Sequence, residues 1–166
     1  DSLDRYAGHF AKLLVEETGC DQGVAQAEVA ATIACLRQMP APHGQPRLVA
    51  GLSDNVAPLL APAALAASAL AAGAVVVLKP SPLAPSCALA LAELFTRAGV
   101  PDGACNLVQG DEAVLKALAE HPGVDLLAFA GAAELAEKIQ SLIGTRALVA
   151  LAPAAVTGTL QASLQD

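Results

Sequence analysis

The side chains able to do chemistry are few and far apart. The cysteines stand at Cys20, Cys35, Cys87 and Cys105, with no C-x-x-C pair and no histidine at metal-ligand spacing. Neither a zinc site nor a redox dithiol is therefore expected. A cysteine nucleophile needs a base or cation to hold it as a thiolate. Cys87 and Cys105 fall instead in a predicted helix and a predicted strand, where a buried structural role is expected. His9 falls in a helix, His43 in a breaker-rich segment and His121 before Pro122 at a turn, and the three share no pattern. The phosphate-cradling G-x-G-x-x-G is absent, so an ordinary Rossmann dehydrogenase is not expected. Lys79 and Ser81, in a Lys-Pro-Ser run, and the turn glycines Gly110 and Gly131 remain as candidates for ligand contact.

Those four residues matter because of the elements that carry them. From Arg47 to Leu151 the chain alternates short apolar runs with helical stretches. Strands are predicted at Arg47–Leu52, Ala74–Leu78, Ala104–Val108, Val124–Phe129 and Ala147–Leu151. Helices are predicted between them at Pro58–Ala72, Pro85–Ala98, Glu112–Glu120 and Ala133–Ile143. Such alternation implies βαβ units and an α/β, doubly wound, mostly parallel sheet of Rossmann-like type. A sheet of this kind takes ligands beyond the carboxyl ends of its strands. Here those ends are Ser53–Val56, Lys79–Ser81, Gln109–Asp111 and Ala130–Ala132, which is where chemistry should be sought.

Two further helices precede this core. In the first, Leu3, Tyr6, Phe10, Leu13 and Leu14 recur at helical spacing and Gly19 ends the run. The second, from about Gln22 to Gln38, is expected to bury Val24, Ala27, Ala31 and Ala34 along one stripe. At 166 residues the chain fits a single domain, divided as 1–38 leading helices, 47–151 core, and 152–166 a tail of uncertain structure. Residues 40–46 form a proline-rich linker.

Composition narrows the function classes. The chain is 55% hydrophobic but only 2% aromatic, and its formal charge is −7. Without a basic patch or aromatic platforms, nucleic acid is not an expected partner. No signal peptide is expected, because the first residues are charged, and the unpaired cysteines suit a reducing cytoplasm. The run from Val56 to Leu78 lacks charge and is long enough to span a bilayer. Pro58, Pro62 and Gly73 interrupt it, and a buried helix followed by a buried strand gives the same hydropathy. No transmembrane segment is expected.

Several segments then carry a resemblance. Leu70-Ala-Ala-Gly-Ala-Val-Val-Val-Leu-Lys-Pro-Ser81 is followed by Ala98-Gly-Val-Pro-Asp-Gly103, Asn106-Leu-Val-Gln-Gly-Asp111, His121-Pro-Gly-Val-Asp125 and Phe129-Ala-Gly-Ala132. In this order and near this spacing the run resembles the aldehyde dehydrogenase superfamily, specifically its NAD-binding domain. Glu17-Thr-Gly19 and Glu28-Val-Ala30 are similar to the family's early helices. The resemblance implies that Lys79 stands where a lysine contacts the adenosine ribose, and that Phe129–Ala132 stands where a turn meets the cofactor pyrophosphate. It also exposes departures. The family's second ribose contact, an acid, falls on Pro82, and the hydroxyls of the pyrophosphate turn fall on Ala130 and Ala132. A second glycine of that turn falls on Ala136. The oxyanion-hole Asn falls on Val56, with Asn55 one residue away. A family lysine falls on Leu65, and the general-base Glu falls near Ala150. The nucleophilic Cys belongs to a following domain. Losing an oxyanion donor alone costs about 10²–10³ in rate.

These departures imply a degenerate, non-catalytic aldehyde dehydrogenase-like domain, in which NAD binding is weak or absent and Lys79, Ser81, Gly110 and Gly131 are vestigial cofactor contacts. Its partners would be other domains of the same polypeptide or further copies in a homo-oligomer, within a larger NAD-dependent oxidoreductase. The long proline utilization A flavoenzymes carry such a domain, and the short linker 40–46 suits packing within one chain. The alternatives are an excised NAD(P)-binding domain of an active aldehyde dehydrogenase and a stand-alone nucleotide sensor.

Overall fold

The computed structural model describes residues 2–39 and 47–152. The linker 40–46, with His43, and residues 153–166 of the tail lie outside the described residues. In chain order the elements are α1 (Ser2–Arg5), α2 (Ala7–Thr18), α3 (Gln22–Arg37), β1 (Leu48–Ser53), α4 (Leu60–Ala71), β2 (Val75–Lys79), α5 (Pro85–Arg97), β3 (Cys105–Leu107), α6 (Glu112–Glu120), β4 (Leu126–Ala130), α7 (Ala133–Ile143) and β5 (Leu148–Leu151).

The five strands form one sheet in the order β3-β2-β1-β4-β5, and every pairing is parallel. The doubly wound expectation is met. The chain builds outward from β1 through β2 to β3, then returns to lay β4 on the other side of β1. The carboxyl ends of β1 and β4 therefore flank the point where strand order reverses, at which folds of this type open a crevice. Lys79 ends β2, while Gly110 and Gly131 follow β3 and β4, so all three lie at the carboxyl edge.

Alternation along the strands divides the core. Val49, Val76, Leu78, Ala128 and Ala130 pack on the α4 side. Ala50 and Leu127 meet Ala119 of α6, and Leu52 and Phe129 meet Ile139 of α7. The suspected membrane stretch resolves into α4, buried along nearly its whole length, and then β2. No helix among the described residues is long and apolar enough to cross a membrane. Small side chains let α4 lie close to the sheet. A Cβ on Gly51 of β1 would come within 3.0 Å of Leu78 Cδ2 and 3.4 Å of Leu65 Cβ.

The leading helices depart from expectation in two ways. Tyr6 interrupts the first helix, separating α1 from α2, and is itself exposed, while Leu3, Phe10 and Leu14 are buried. The expected stripe of α3 is wrong: Val24, Ala27, Ala31 and Ala34 are exposed, and Ala25, Val29 and Thr32 face inward. Alanine tolerates either face, so the alanine spacing was a poor guide. The inward face is fixed by Val29 and by Glu28, whose side chain has a task.

That task is to cap a helix. Glu28 Oε1 accepts hydrogen bonds from the amides of Leu59 (2.8 Å) and Leu60 (3.1 Å) at the start of α4. Glu17 of α2 does the same for α5, Oε1 accepting from Ser86 N (2.7 Å) and Oε2 from Cys87 N (3.1 Å). Neither helix carries a side-chain cap of its own, and unsatisfied amides at a helix start favour negative charge. The two acids respond oppositely. Burial pushes the Glu28 carboxyl up, and its two amide bonds do not offset that. Burial also opposes the charge on Glu17, but the Ser86 and Cys87 amides outweigh it and hold the carboxyl below its ordinary range.

The geometry predicts different outcomes for the two amide substitutions. Glu28 uses one oxygen for both bonds, which a Gln carbonyl reproduces without a desolvated charge. Glu28→Gln should leave stability at neutral pH within about 1 kcal/mol of the unaltered chain or raise it. Glu17 uses both oxygens, so Glu17→Gln turns an NH2 toward an amide donor and should cost about 1–3 kcal/mol. The stability Glu17 supplies is present above its unfolded-state value and is lost as pH falls through its lowered folded value. Glu28 has the reverse sign, its contribution being fully present in acid and lost as pH rises through its raised value. Denaturant melts of both variants at neutral and acid pH test this, and equal losses at neutral pH would contradict it.

Candidate functional site

The carboxyl edge holds a cleft of about 400 Å³. Its walls are apolar where the sheet meets α6 and α7, through Leu52, Leu115, Phe129 and Ile139. Its polar groups come from the loops: Asp54 and Asn55 after β1, Lys79 and Ser81 at and after β2, Asp111 and Glu112 at the start of α6, and Lys138 on α7. Three carboxylates thus face two ammonium groups. The cleft sits where the strand order pointed.

Each sequence-predicted contact residue has a local structural explanation. Lys79 is only 7% exposed, not a solvated strand-end cation. Its Nζ donates to the Pro80 carbonyl at 3.3 Å, and among the described residues no carboxylate stands within ion-pair distance of it. Burial pushes its ammonium pKa down, and the nearby charge of Asp111 partly counteracts this. An ammonium has three donors, so Lys79 keeps spare ones at the cleft. Ser81 Oγ accepts from Leu83 N at 3.2 Å, bracing the turn. Gly110 has φ +149°, and a Cβ there would come within 2.4 Å of Val114 Cγ2. At Gly131 a Cβ would lie 2.4 Å from the Asp54 carboxylate and 2.6 Å from Phe129 Cζ. The structure thus brings Lys79 and Ser81 to the cleft wall, while Gly110 and Gly131 flank it as turns that fit around neighbouring side chains.

The residue that sequence reasoning missed is Asp54. It is 5% exposed, with Oδ1 accepting from Val56 N at 2.9 Å and Oδ2 from Ala132 N at 2.7 Å. Ala132 is the N-cap of α7 and offers no side-chain cap; Asp54 satisfies the amide of Ala132 itself from across the strand-order reversal. The signal was available in Ala132, a poor N-cap residue, and in an acid placed just beyond β1. This carboxylate occupies the Ala132 amide and the space that a Gly131 Cβ would take, while the Gly131 amide donates to the Leu151 carbonyl. An anionic cofactor group that sought the Ala132 amide would have to displace Asp54.

No described cysteine is set up as a nucleophile. All four thiols are free. Only Cys87 is fully buried, the other three being half-buried, which corrects the expectation of a buried Cys105. Burial is the main cause pushing Cys87 far above the ordinary thiol range, reinforced by the bond and charge of Glu17. Burial pushes Cys105 up to about 11. Val56, aligned with an amide donor, is 66% exposed with a hydrocarbon side chain. Ala150, aligned with a base, is exposed on β5, and Leu65, aligned with a lysine, is fully buried in α4. The His121–Asp125 segment works at the other edge of the sheet. His121 Nδ1 accepts from Gly123 N (3.0 Å), and Asp125 Oδ2 accepts from Leu48 N (2.7 Å), fastening the start of β4 to that of β1.

Comparison with known proteins agrees with this architecture. The sequence profile of the aldehyde dehydrogenase family matches residues 55–154. A methylmalonate-semialdehyde dehydrogenase from Oceanimonas doudoroffii superposes with a TM-score of 0.79 at 27% identity, covering 89% of this chain and 35% of that one. Lactaldehyde dehydrogenase from Escherichia coli gives 0.76 at 26% identity, covering 90% and 36%. A Sinorhizobium meliloti protein crystallised in complex with NAD gives 0.74 at 25% identity, covering 89% and 34%. The chain thus spans about a third of the length of these similar proteins.

Lys79 supplies a prediction. A lysine whose folded value is lowered burdens the fold while it is charged, and the burden lifts as pH rises through that lowered value toward the ordinary one, about 10.4. Lys79→Met should raise the melting temperature at neutral pH by a few degrees, about 2–4 °C per kcal/mol for a chain of this size. The gain should shrink in alkaline buffer. A melting temperature that falls at neutral pH would contradict this account of Lys79.

Proposed function

This chain belongs to the aldehyde dehydrogenase family, and we propose that it is a non-catalytic cofactor-type domain with a structural, interface-forming role in a larger oxidoreductase. One observation carries the reading: the positions that resemble the family's oxyanion donor and general base hold Val56 and Ala150, whose side chains are hydrocarbon. Thiolate attack, oxyanion stabilisation and base-assisted hydrolysis act as a unit, so chemistry does not survive the loss of several members. Val56 and Ala150 supply neither donor nor base. Lys79, Ser81, Gly110 and Gly131 are, on this reading, remnants of a cofactor site, and any NAD affinity is weak.

The cleft rim supports an interface. At the cleft Leu83 is 66% exposed, and Leu135 and Leu142 are exposed with it; Val56, next in the chain to the cleft residue Asn55, is also 66% exposed. Large apolar side chains gathered at one edge of a domain favour cover by another surface. We assign residues 1–166 to one domain that packs against other domains of its own polypeptide, or against further copies, in the cytoplasm. Our preferred parent is a long proline utilization A protein, in which such a domain follows the catalytic modules. The second reading, an excised NAD(P)-binding domain of a working aldehyde dehydrogenase, has in its favour that the solved relatives are about three times as long.

The chain should form no NADH from a panel of aliphatic aldehydes and semialdehydes, and should hydrolyse no activated ester. The double variant Val56→Asn with Ala150→Glu should remain inert, because no thiolate stands ready to attack. Loss of two polar contacts should weaken NAD by roughly 5- to 150-fold relative to an intact site. Saturable, aldehyde-dependent NADH production by the unaltered chain, or micromolar NAD binding by calorimetry, would refute the reading.

A further inference from the structure

We propose that Asp54 is a resident anion at the strand-order reversal, whose carboxylate occupies the amide and the space at Gly131–Ala132 and so closes the cleft to phosphorylated ligands. The inference deepens the proposed function. It rests on that reading only for its biological consequence, since the geometry stands without it.

Three observations converge. The first is burial. A carboxylate only 5% exposed is costly unless its charge is met, and Asp54 is met by charge-assisted bonds from Val56 N and Ala132 N, at 2.9 and 2.7 Å. The second is occupancy. The Asp54 carboxylate and the Phe129 ring fill the place of a Gly131 Cβ, with Cγ and Oδ2 each 2.4 Å from it. A side chain does not fit there, and an anion seeking the Ala132 amide must first displace Asp54 Oδ2. The third is charge. Asp111 and Glu112 line the same cleft opposite Lys79 and Lys138, so an incoming phosphate would join an acidic set already containing Asp54.

Position gives the arrangement its significance. In a doubly wound sheet the crevice between the reversing strands is where ligands enter, and amides at a helix start are what anionic ligands seek. Asp54 follows β1, Ala132 follows β4, and their hydrogen bond spans that crevice. An external anion must displace Asp54 Oδ2 from Ala132 N and leave a second negative charge beside its own. A neutral ligand meeting the apolar wall and Lys79 faces neither obstacle.

The experiment is a titration of the ¹⁵N-labelled chain with inorganic pyrophosphate, following the Gly131, Ala132 and Ala133 amides. The unaltered chain should show no saturable shift at these positions. Asp54→Ser vacates the space while keeping a hydroxyl that accepts from Val56 N. It should gain saturable binding there, tighter by about tenfold or more, as expected when a charge-assisted bond passes from Asp54 to the ligand. Asp54→Asn keeps the space filled and should gain less than the Ser variant. Saturable shifts of these amides in the unaltered chain would overturn the proposal without reference to any variant. So would a folded Ser variant that gains nothing, or an Asn variant that gains as much as Ser. No aldehyde or nicotinamide enters the experiment, so its failure is distinct from that of the non-catalytic reading.

Discussion

A parallel sheet wound on both faces delivers every crossover helix with its amino end at the same edge, and each arrives with amides that have no partner inside the helix. Four such helices, α4 to α7, meet that edge here. Each is met by a carboxylate of the protein itself: Glu28 for α4, Glu17 for α5, Asp111 for α6 and Asp54 for α7. Three of these acids reach in from other elements. Glu17 and Glu28 tie α2 and α3 to the starts of α5 and α4 by polar bonds, while Phe10, Leu14, Ala25 and Val29 pack against α4 and α5. The leading helices are thereby part of the apparatus that completes the carboxyl edge.

Close packing of small residues is the complementary constraint. Without a Cβ at Gly51, and with alanine through most of α4, the helix sits low on the sheet and is buried nearly throughout. A lysine at the Leu65 position would place an ammonium in this layer. Val56, Leu65, Ala132 and Ala150 bring hydrocarbon side chains to these positions, and amides at the starts of α4 to α7 are satisfied from within the chain. Lys79 is the exception, a buried cation with spare donors and, among the described residues, no carboxylate within ion-pair distance.

Much of this was legible in the sequence because its signals are local. The alternation of apolar runs with helical stretches located all five strands, and α6 and α7 began and ended where expected, since Asp111, Glu112 and Ala133 mark clear starts. The inward face of α3 was not legible, because alanine fits either face and the deciding contact, from Glu28 to Leu59, joins residues far apart in the chain. Asp54 was overlooked for the same reason. Its partner Ala132 lies on the far side of the strand-order reversal, and only the folded arrangement brings the two together. Gly131 shows how a correct residue can carry a different meaning. It was singled out for its likeness to a phosphate turn, and it accommodates a carboxylate of the chain itself.

The claim at the centre is that the carboxyl edge is complete without an anionic ligand. A crystal structure of the chain grown with NAD in large excess tests it most directly. The account predicts the Asp54 carboxylate on the Ala132 amide and no density for a pyrophosphate at the crevice between β1 and β4. A pyrophosphate bonded to Ala132 N, with the Asp54 side chain swung away from Gly131, would contradict it.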